Sequence, residues 1–244
     1  MKLKGKKILI VGASRGIGEA IAKSLLLENA EVIALSRSDL NYECEHIKLD
    51  IIKNESILTL SEHIKNKHNF IDGIVFAAAK SLPPKNIEEK SSFKLQEPSL
   101  FNEIIQTNLL SIYNCIYCLQ DLLKDHSSIV MLSSIGAHLS FPNNPGYQVS
   151  KAGLESMARS ISYDLGYKKI RANSLILGYF KTDMTSKSYN DLKMREERTK
   201  KTLLERWGNV NDVPGAVKFL LSEESSYITG TSITIDGGWL SKGL

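Results

Sequence analysis

The 244-residue sequence lacks the marks of several protein classes. No apolar stretch approaches the roughly 20 residues that span a bilayer, so no membrane role is expected. The apolar run in MKLKGKKILIVGA is too short for a signal peptide and leads straight into a glycine turn. It reads as a strand, and the expected address is the cytoplasm. Only three cysteines occur, Cys44, Cys115 and Cys118, which fits a reducing compartment. The last two form a C-x-x-C inside LLSIYNCIYCL, which reads as a buried helix. With no second ligand pair, core packing outweighs redox or metal chemistry there, and no metal is expected. An excess of one charge is also missing. The formal net charge is +4, which suits an anionic ligand and falls short of a nucleic-acid footprint. No internal repeat or low-complexity linker divides the chain, so one domain over residues 1–244 is expected.

What is present is an alternation. The composition is 42% hydrophobic and 24% charged, enough for a buried core and against disorder. Short continuous apolar runs predict strands at Lys7–Val11, Glu31–Leu35, His46–Leu49, Gly73–Ala78, Ser128–Leu132, Arg171–Leu175 and Ser232–Ile235. Stretches with helical spacing fall at Gly18–Asn29, Ser56–Lys67, Leu100–Leu123, Gly146–Leu165 and Val213–Leu220. Strands of this kind are covered on both faces, and the alternation implies parallel βαβ units. The fold class expected is α/β, a Rossmann-type doubly wound parallel sheet with helices on both faces. Two segments break the rhythm. Lys80–Pro98 is polar and carries three prolines, and reads as a surface loop or a short irregular helix. Thr182–Trp207 is polar and basic, and reads either as a substrate lid or as a solvated helix with a charged face.

Gly12, Gly16 and Gly18 lie between the first strand and the first helix. Glycines there let backbone N–H groups approach a pyrophosphate, and the helix dipole favours its charge. The spacing is G-x-x-x-G-x-G, which differs from the more widespread G-x-G-x-x-G. An acid at the tip of the second strand would accept the ribose 2′-hydroxyl of NAD. That strand ends in Ser36-Arg37, and Arg15 sits in the glycine loop. Two arginines suit a 2′-phosphate, so NADP(H) is favoured; Asp39 keeps NAD(H) open.

Further along stand Asn108, Ser134 and Gly146-Tyr147-Gln148-Val149-Ser150-Lys151. Hydride addition to a carbonyl leaves an alkoxide that needs a proton. Free tyrosine, with a pKa of about 10, is a poor acid–base group at neutral pH. A lysine four residues on shares its helical face and favours the phenolate. A serine hydroxyl at a strand end can bind the carbonyl and stabilise the developing charge.

Taken in order and spacing, Gly12-x-x-x-Gly16-x-Gly18, Asp50-Ile51, Asn108, Ser134, Tyr147-x-x-x-Lys151, Gly178-x-x-x-Thr182 and ITGTSITIDGG resemble the short-chain dehydrogenase/reductase family. The likeness runs almost end to end and is nearest to the 3-oxoacyl-acyl-carrier-protein reductases. It implies that Tyr147 is the acid or base and that Lys151 tunes it and binds the nicotinamide ribose. It implies that Ser134 binds the carbonyl, and that Asn108 anchors a water chain to Lys151. For the cofactor it implies Gly12, Ser14, Arg15, Ile17 and Gly18 at the phosphates and Arg37 at the 2′-phosphate. Asp50 and Ile51 fall at the adenine, Ala78 at the adenosine ribose, and Gly178, Phe180 and Thr182 at the nicotinamide amide and pyrophosphate. A homotetramer pairing through the two long helices and the last strand is implied as well.

Two positions depart from the family pattern. Phe76-Ala77-Ala78-Ala79 replaces Asn-Asn-Ala-Gly, and Leu177-Gly178 replaces Pro-Gly. They keep open a second class of function, an NADP-binding sensor with weak turnover. Candidate substrate residues are His138, Leu139, Phe141 and Asn144, the 182–207 segment and Trp239. The basic segment suits an anionic handle, as on a carrier-linked or coenzyme A thioester or a nucleotide-linked sugar. A 3-oxoacyl thioester is the first expectation. A keto-sugar or sugar nucleotide, of surface-glycan or flagellin modification, is its rival.

Overall fold

The computed structural model describes residues 2–82 and 95–242. Seven strands form one sheet, all neighbours parallel: β1 (Lys7–Val11), β2 (Glu31–Ser36), β3 (Glu45–Lys48), β4 (Ile71–Phe76), β5 (Leu123–Ser134), β6 (Arg171–Leu177) and β7 (Ser232–Ile235). Their spatial order is β3-β2-β1-β4-β5-β6-β7. The order reverses between β1 and β4, and the carboxyl ends of strands beside such a reversal form the ligand crevice of doubly wound sheets.

Strand alternation divides the core in two. Leu9 and Val11 of β1 face one layer, with α2 (Asn54–Lys67), α4 (Ser111–Leu119) and α5 (Pro145–Asp164). Ile8 and Ile10 face the other, with α1 (Gly16–Leu27) and α8 (Pro214–Leu221). Both faces are covered, which is why the central strands read as unbroken apolar runs. Cys115 belongs to the first layer, and burial pushes its thiol up to about 12.

The expected helix Leu100–Leu123 is three pieces. Pro98, at a first-turn position that needs no N–H, opens α3 (Pro98–Ile105). A π turn follows at Gln106–Leu110, where Ser111 N–H bonds Gln106 C=O, and α4 ends at Leu119. The wider turn carries Asn108 inward to complete burial. Leu123 instead begins β5, which starts five residues before and ends two residues after the strand expected at Ser128–Leu132. Polar Lys124–His126 hid its start: the pairing with β4 shifts register there, and His126 takes a φ of +68°. Of the Lys80–Pro98 segment, residues 83–94 lie outside the described residues. The 182–207 segment holds a 3₁₀ turn, α6 (Ser186–Asn190) and α7 (Leu192–Lys200), which Asp191 caps by accepting from Met194 N–H at 2.9 Å. Among the described residues no helix is long and apolar enough to cross a membrane.

Candidate active site

The glycine loop sits at the carboxyl end of β1. Gly12 has a φ of +89°, and a Cβ there would come within 2.5 Å of Ala78 N. A Cβ on Gly18 would come within 2.0 Å of Gly12 O. Both contacts are with backbone, so no side chain fits at either position. α1 starts at Gly16, two residues before the expected Gly18, which places Gly16, Ile17 and Gly18 in the first turn. Their N–H groups have no partner within the helix and suit a pyrophosphate. Ser14 is half-buried in the loop, and Tyr42 Oη donates to Ala13 C=O at 2.8 Å, bracing it.

Arg37 is exposed just beyond β2, and Arg15 is exposed on the loop, 3.9 Å from Asp183 across the cleft. Asp39, the one carboxylate that could serve a 2′-hydroxyl, is ion-paired to Lys48 at 2.6 Å, which holds its carboxyl below the usual range. Asp50 accepts from Ile52 N–H at 3.3 Å, and Ile51 is buried beside it. At the far wall Gly178 packs on Asp236, where a Cβ would approach to 2.7 Å. Phe180 is buried. Thr182 caps the 3₁₀ turn Asp183–Thr185 in a reciprocal pair with Thr185. A Cβ on Gly16 would stand 3.7 Å from the Thr182 methyl, so loop and wall face each other across a narrow gap. These residues fit a nicotinamide dinucleotide: bare backbone for the phosphates, arginine at the ribose end, and a glycine turn opposite.

The candidate proton-handling residues meet where β5 ends beside α5. Ser134 Oγ accepts from Gly136 N–H at 3.1 Å and hydrogen-bonds Tyr147. Burial pushes the Tyr147 phenol up; the Ser134 bond opposes this and Tyr179 adds to it. Lys151 stands below the Tyr147 ring on the same helix. Its Nζ donates to Leu132 C=O at 2.6 Å and lies 5.6 Å from the Tyr147 ring centroid. Burial draws its ammonium down to about 8. The sheet carbonyl is its hydrogen-bond partner here, and burial of the phenol favours its neutral form.

Asn108 is spent on the chain. Its Oδ1 accepts from Lys80 N–H at 2.7 Å, and its Nδ2 donates to Lys80 C=O at 2.8 Å and to Ser150 Oγ at 3.2 Å. It therefore clamps the segment that follows Ala77-Ala78-Ala79, which has no asparagine of its own. The other departure is absorbed into the sheet, since Leu177 is the last residue of β6 and is buried.

The substrate candidates separate. Phe141 stands beside Gly136 and Tyr147 and 6.3 Å from the Tyr179 ring. Asn144 is buried and donates to Ser81 Oγ at 3.0 Å, with its Oδ1 unpartnered among the described residues. His138 turns aside. Its Nε2 meets both oxygens of buried Glu155, at 3.1 and 3.0 Å, and Ser133 Oγ lies 2.9 Å from Oε1. That network ties the residue before Ser134 to the helix carrying Lys151.

Sequence reading passed over Tyr179. Its ring is 5.3 Å from Trp207 and 5.0 Å from Trp239, and the Arg198 guanidinium stands 4.8 Å above it. On α7 the half-buried residues are Met194, Arg195, Arg198 and Thr199. Two of these four inward residues are arginines, which no apolar periodicity reveals. A cavity of about 340 Å³ opens beside it, lined by Tyr189, Arg195 and Trp207 among others, and by none of the proton-handling residues.

Comparison with known proteins agrees with this layout. A family model described as enoyl-(acyl carrier protein) reductase matches residues 12–240. The chain is 30% identical to a 3-oxoacyl-acyl-carrier-protein reductase of Chlamydia pneumoniae, covering 97% of each. Among solved structures, the aldohexose dehydrogenase of Thermoplasma acidophilum superposes with a TM-score of 0.89 at 27% identity, over 99% of this chain and 96% of that one. A short-chain dehydrogenase family protein of Francisella tularensis gives 0.86 at 27% identity, over 98% and 100%.

Proposed function

The chain belongs to the short-chain dehydrogenase/reductase family, and from that membership we propose that it is an NADP(H)-dependent reductase of a 3-oxoacyl thioester. It is an NAD(P)-dependent oxidoreductase acting on carbonyl and CH–OH groups. When bound in the glycine-loop cleft, the nicotinamide would supply or accept the hydride. Ser134 positions and polarises the carbonyl oxygen, and Tyr147, kept neutral by burial, delivers its proton to the alkoxide. Lys151 holds a positive charge near the ring through most of its population at pH 7. Asn108 fixes the wall behind it.

The observation that carries the NADP reading is the pairing of Asp39 with Lys48. It engages the acid that could serve a 2′-hydroxyl, and Arg37 and Arg15 are exposed where they suit a 2′-phosphate. The thioester reading is supported by the Chlamydia relative and by the basic inner face of α7, which we propose closes over the cleft as the 182–207 lid. A second reading, a keto-sugar substrate, is favoured by the Tyr179, Trp207 and Trp239 rings, since aromatic faces suit a pyranose. We also propose a homotetramer: Leu110, Tyr113 and Tyr117 form an exposed apolar stripe at helical spacing on the long helical segment.

The experiment is NADPH oxidation with acetoacetyl-coenzyme A and, in parallel, with keto-hexoses. Preference for the thioester upholds the first reading, preference for the sugars installs the second, and faster turnover with NADH would overturn the cofactor assignment.

A further inference from the structure

At the amino ends of the strands, opposite the glycine loop, three side chains converge on one point. Glu45 opens β3, His63 lies on α2, and His68 follows the last turn of α2. His63 Nε2 is 2.8 Å from Glu45 Oε1, and His68 Nε2 is 3.2 Å from the same oxygen. One donor atom from each residue falls in a group spanning no more than 4.8 Å. Tetrahedral zinc, with bonds of about 2.0–2.2 Å, sets neighbouring ligand atoms roughly 3.3 Å apart. The His68 separation matches that value, and the His63 separation needs to open by about 0.5 Å, within reach of a partly exposed side chain. We propose that Glu45, His63 and His68 form a zinc site, completed by a water, that clips the edge strand β3 onto α2.

The donor chemistry and the surroundings agree. Two imidazoles and one carboxylate select a borderline divalent transition metal over magnesium or calcium, which take oxygen. His68 is 8% exposed, while Glu45 and His63 are only partly buried, so the group is desolvated on one side and open on the other. Lys67 Nζ holds the second carboxylate oxygen, Oε2, at 2.9 Å, which fixes the carboxylate plane and leaves Oε1 to the metal. In the metal-free chain the Nε2 positions hydrogen-bond Oε1. Metal binding takes their lone pairs, and the ring proton of a neutral histidine moves to Nδ1. The site is structural. Among the described residues β3 pairs with β2 alone, and it leads into Asp50 and Ile51, so the clip steadies the strand that presents those two residues.

The test uses the full chain, freed of metal by a chelator and titrated with Co²⁺, alongside His63→Gln. His63 is exposed enough to be replaced without opening the core. The expected result is one saturable equivalent with the visible absorption of tetrahedral Co²⁺, displaced by Zn²⁺ and weakened roughly tenfold or more in the variant. Zn²⁺ should also raise the melting temperature of the parent and not of His63→Gln. Absence of saturable binding would overturn the proposal, leaving a hydrogen-bond network only. So would equal affinity in the variant, which would move the metal to the cysteines or to His138 and Glu155.

Discussion

The two ends of the cleft are built from different material. The cofactor end is mostly backbone: a glycine turn at positive φ, the first turn of α1, and a second glycine packed on Asp236. The end we propose for the substrate is side chains brought from far apart: Phe141, Tyr179, Trp207, Trp239 and Arg198. Backbone sites demand glycine at fixed spacing, so they leave a local signature. Side-chain sites demand only that rings and charges meet in space, which any order of residues can satisfy. The first kind of site serves one invariant ligand, whereas the second is free to vary with the substrate.

Tyr147 and Lys151 stand at the joint, and changing them has the largest effects. Tyr147→Phe should lower the turnover rate about 10²- to 10⁴-fold, the usual worth of a positioned acid, with NADPH affinity unchanged. Stopped-flow turnover beside fluorescence titration of NADPH checks this. A matching loss of NADPH binding would show that the two ends are not separable at the joint.

Lys151 carries a cost in stability. Its folded pKa is about 8, against a usual 10.5. Between those values the unfolded chain keeps a proton that the folded chain has shed, so stability rises with pH across that window. Below about 8 both forms are protonated and the burial penalty is fully present. Lys151→Met relieves about 3 kcal/mol of it and forfeits about 1 kcal/mol from the Leu132 bond. Denaturant unfolding at pH 7 should therefore show the variant more stable by ~2 kcal/mol, though inactive, with the advantage shrinking towards pH 10.

At the cofactor end, Arg37→Ala should remove a charge-assisted bond of about 1.5–3 kcal/mol. KM for NADPH rises roughly ten- to a hundredfold, while KM for NADH and for substrate stays put. Equal losses with both dinucleotides would place Arg37 outside the 2′-phosphate site.

How much of this was legible follows the same division. The alternation of strands and helices and the glycine turn after β1 could be read because each rests on short spacing. The π turn at Gln106–Leu110 could not, since a single extra residue per turn leaves the apolar pattern nearly intact. Neither could the attachment of His138 to Glu155, residues 17 apart whose pairing depends on how β5 packs on α5. Nor could the bond from Lys151 to Leu132 C=O, because that carbonyl comes from β5, a different element.

The smallest effect tests the substrate end most finely. Arg198 stacks over Tyr179 from a helix whose outer face is solvated, and such a cation–π contact is worth about 0.5–1 kcal/mol when partly exposed. If Arg198 only props the ring, Arg198→Ala should change substrate KM by no more than about two- to fivefold, and Arg198→Lys should restore it. If Arg198 also pairs with an anionic handle, the loss is larger for coenzyme A or carrier-linked substrates than for free keto-sugars, and it shrinks as salt is added. NADPH KM should not move in either case, because α7 stands on the other wall from Arg37. A shift in NADPH KM with Arg198→Ala would mean that the basic inner face of α7 reaches the cofactor phosphates, and that the side-chain end takes part in holding the dinucleotide.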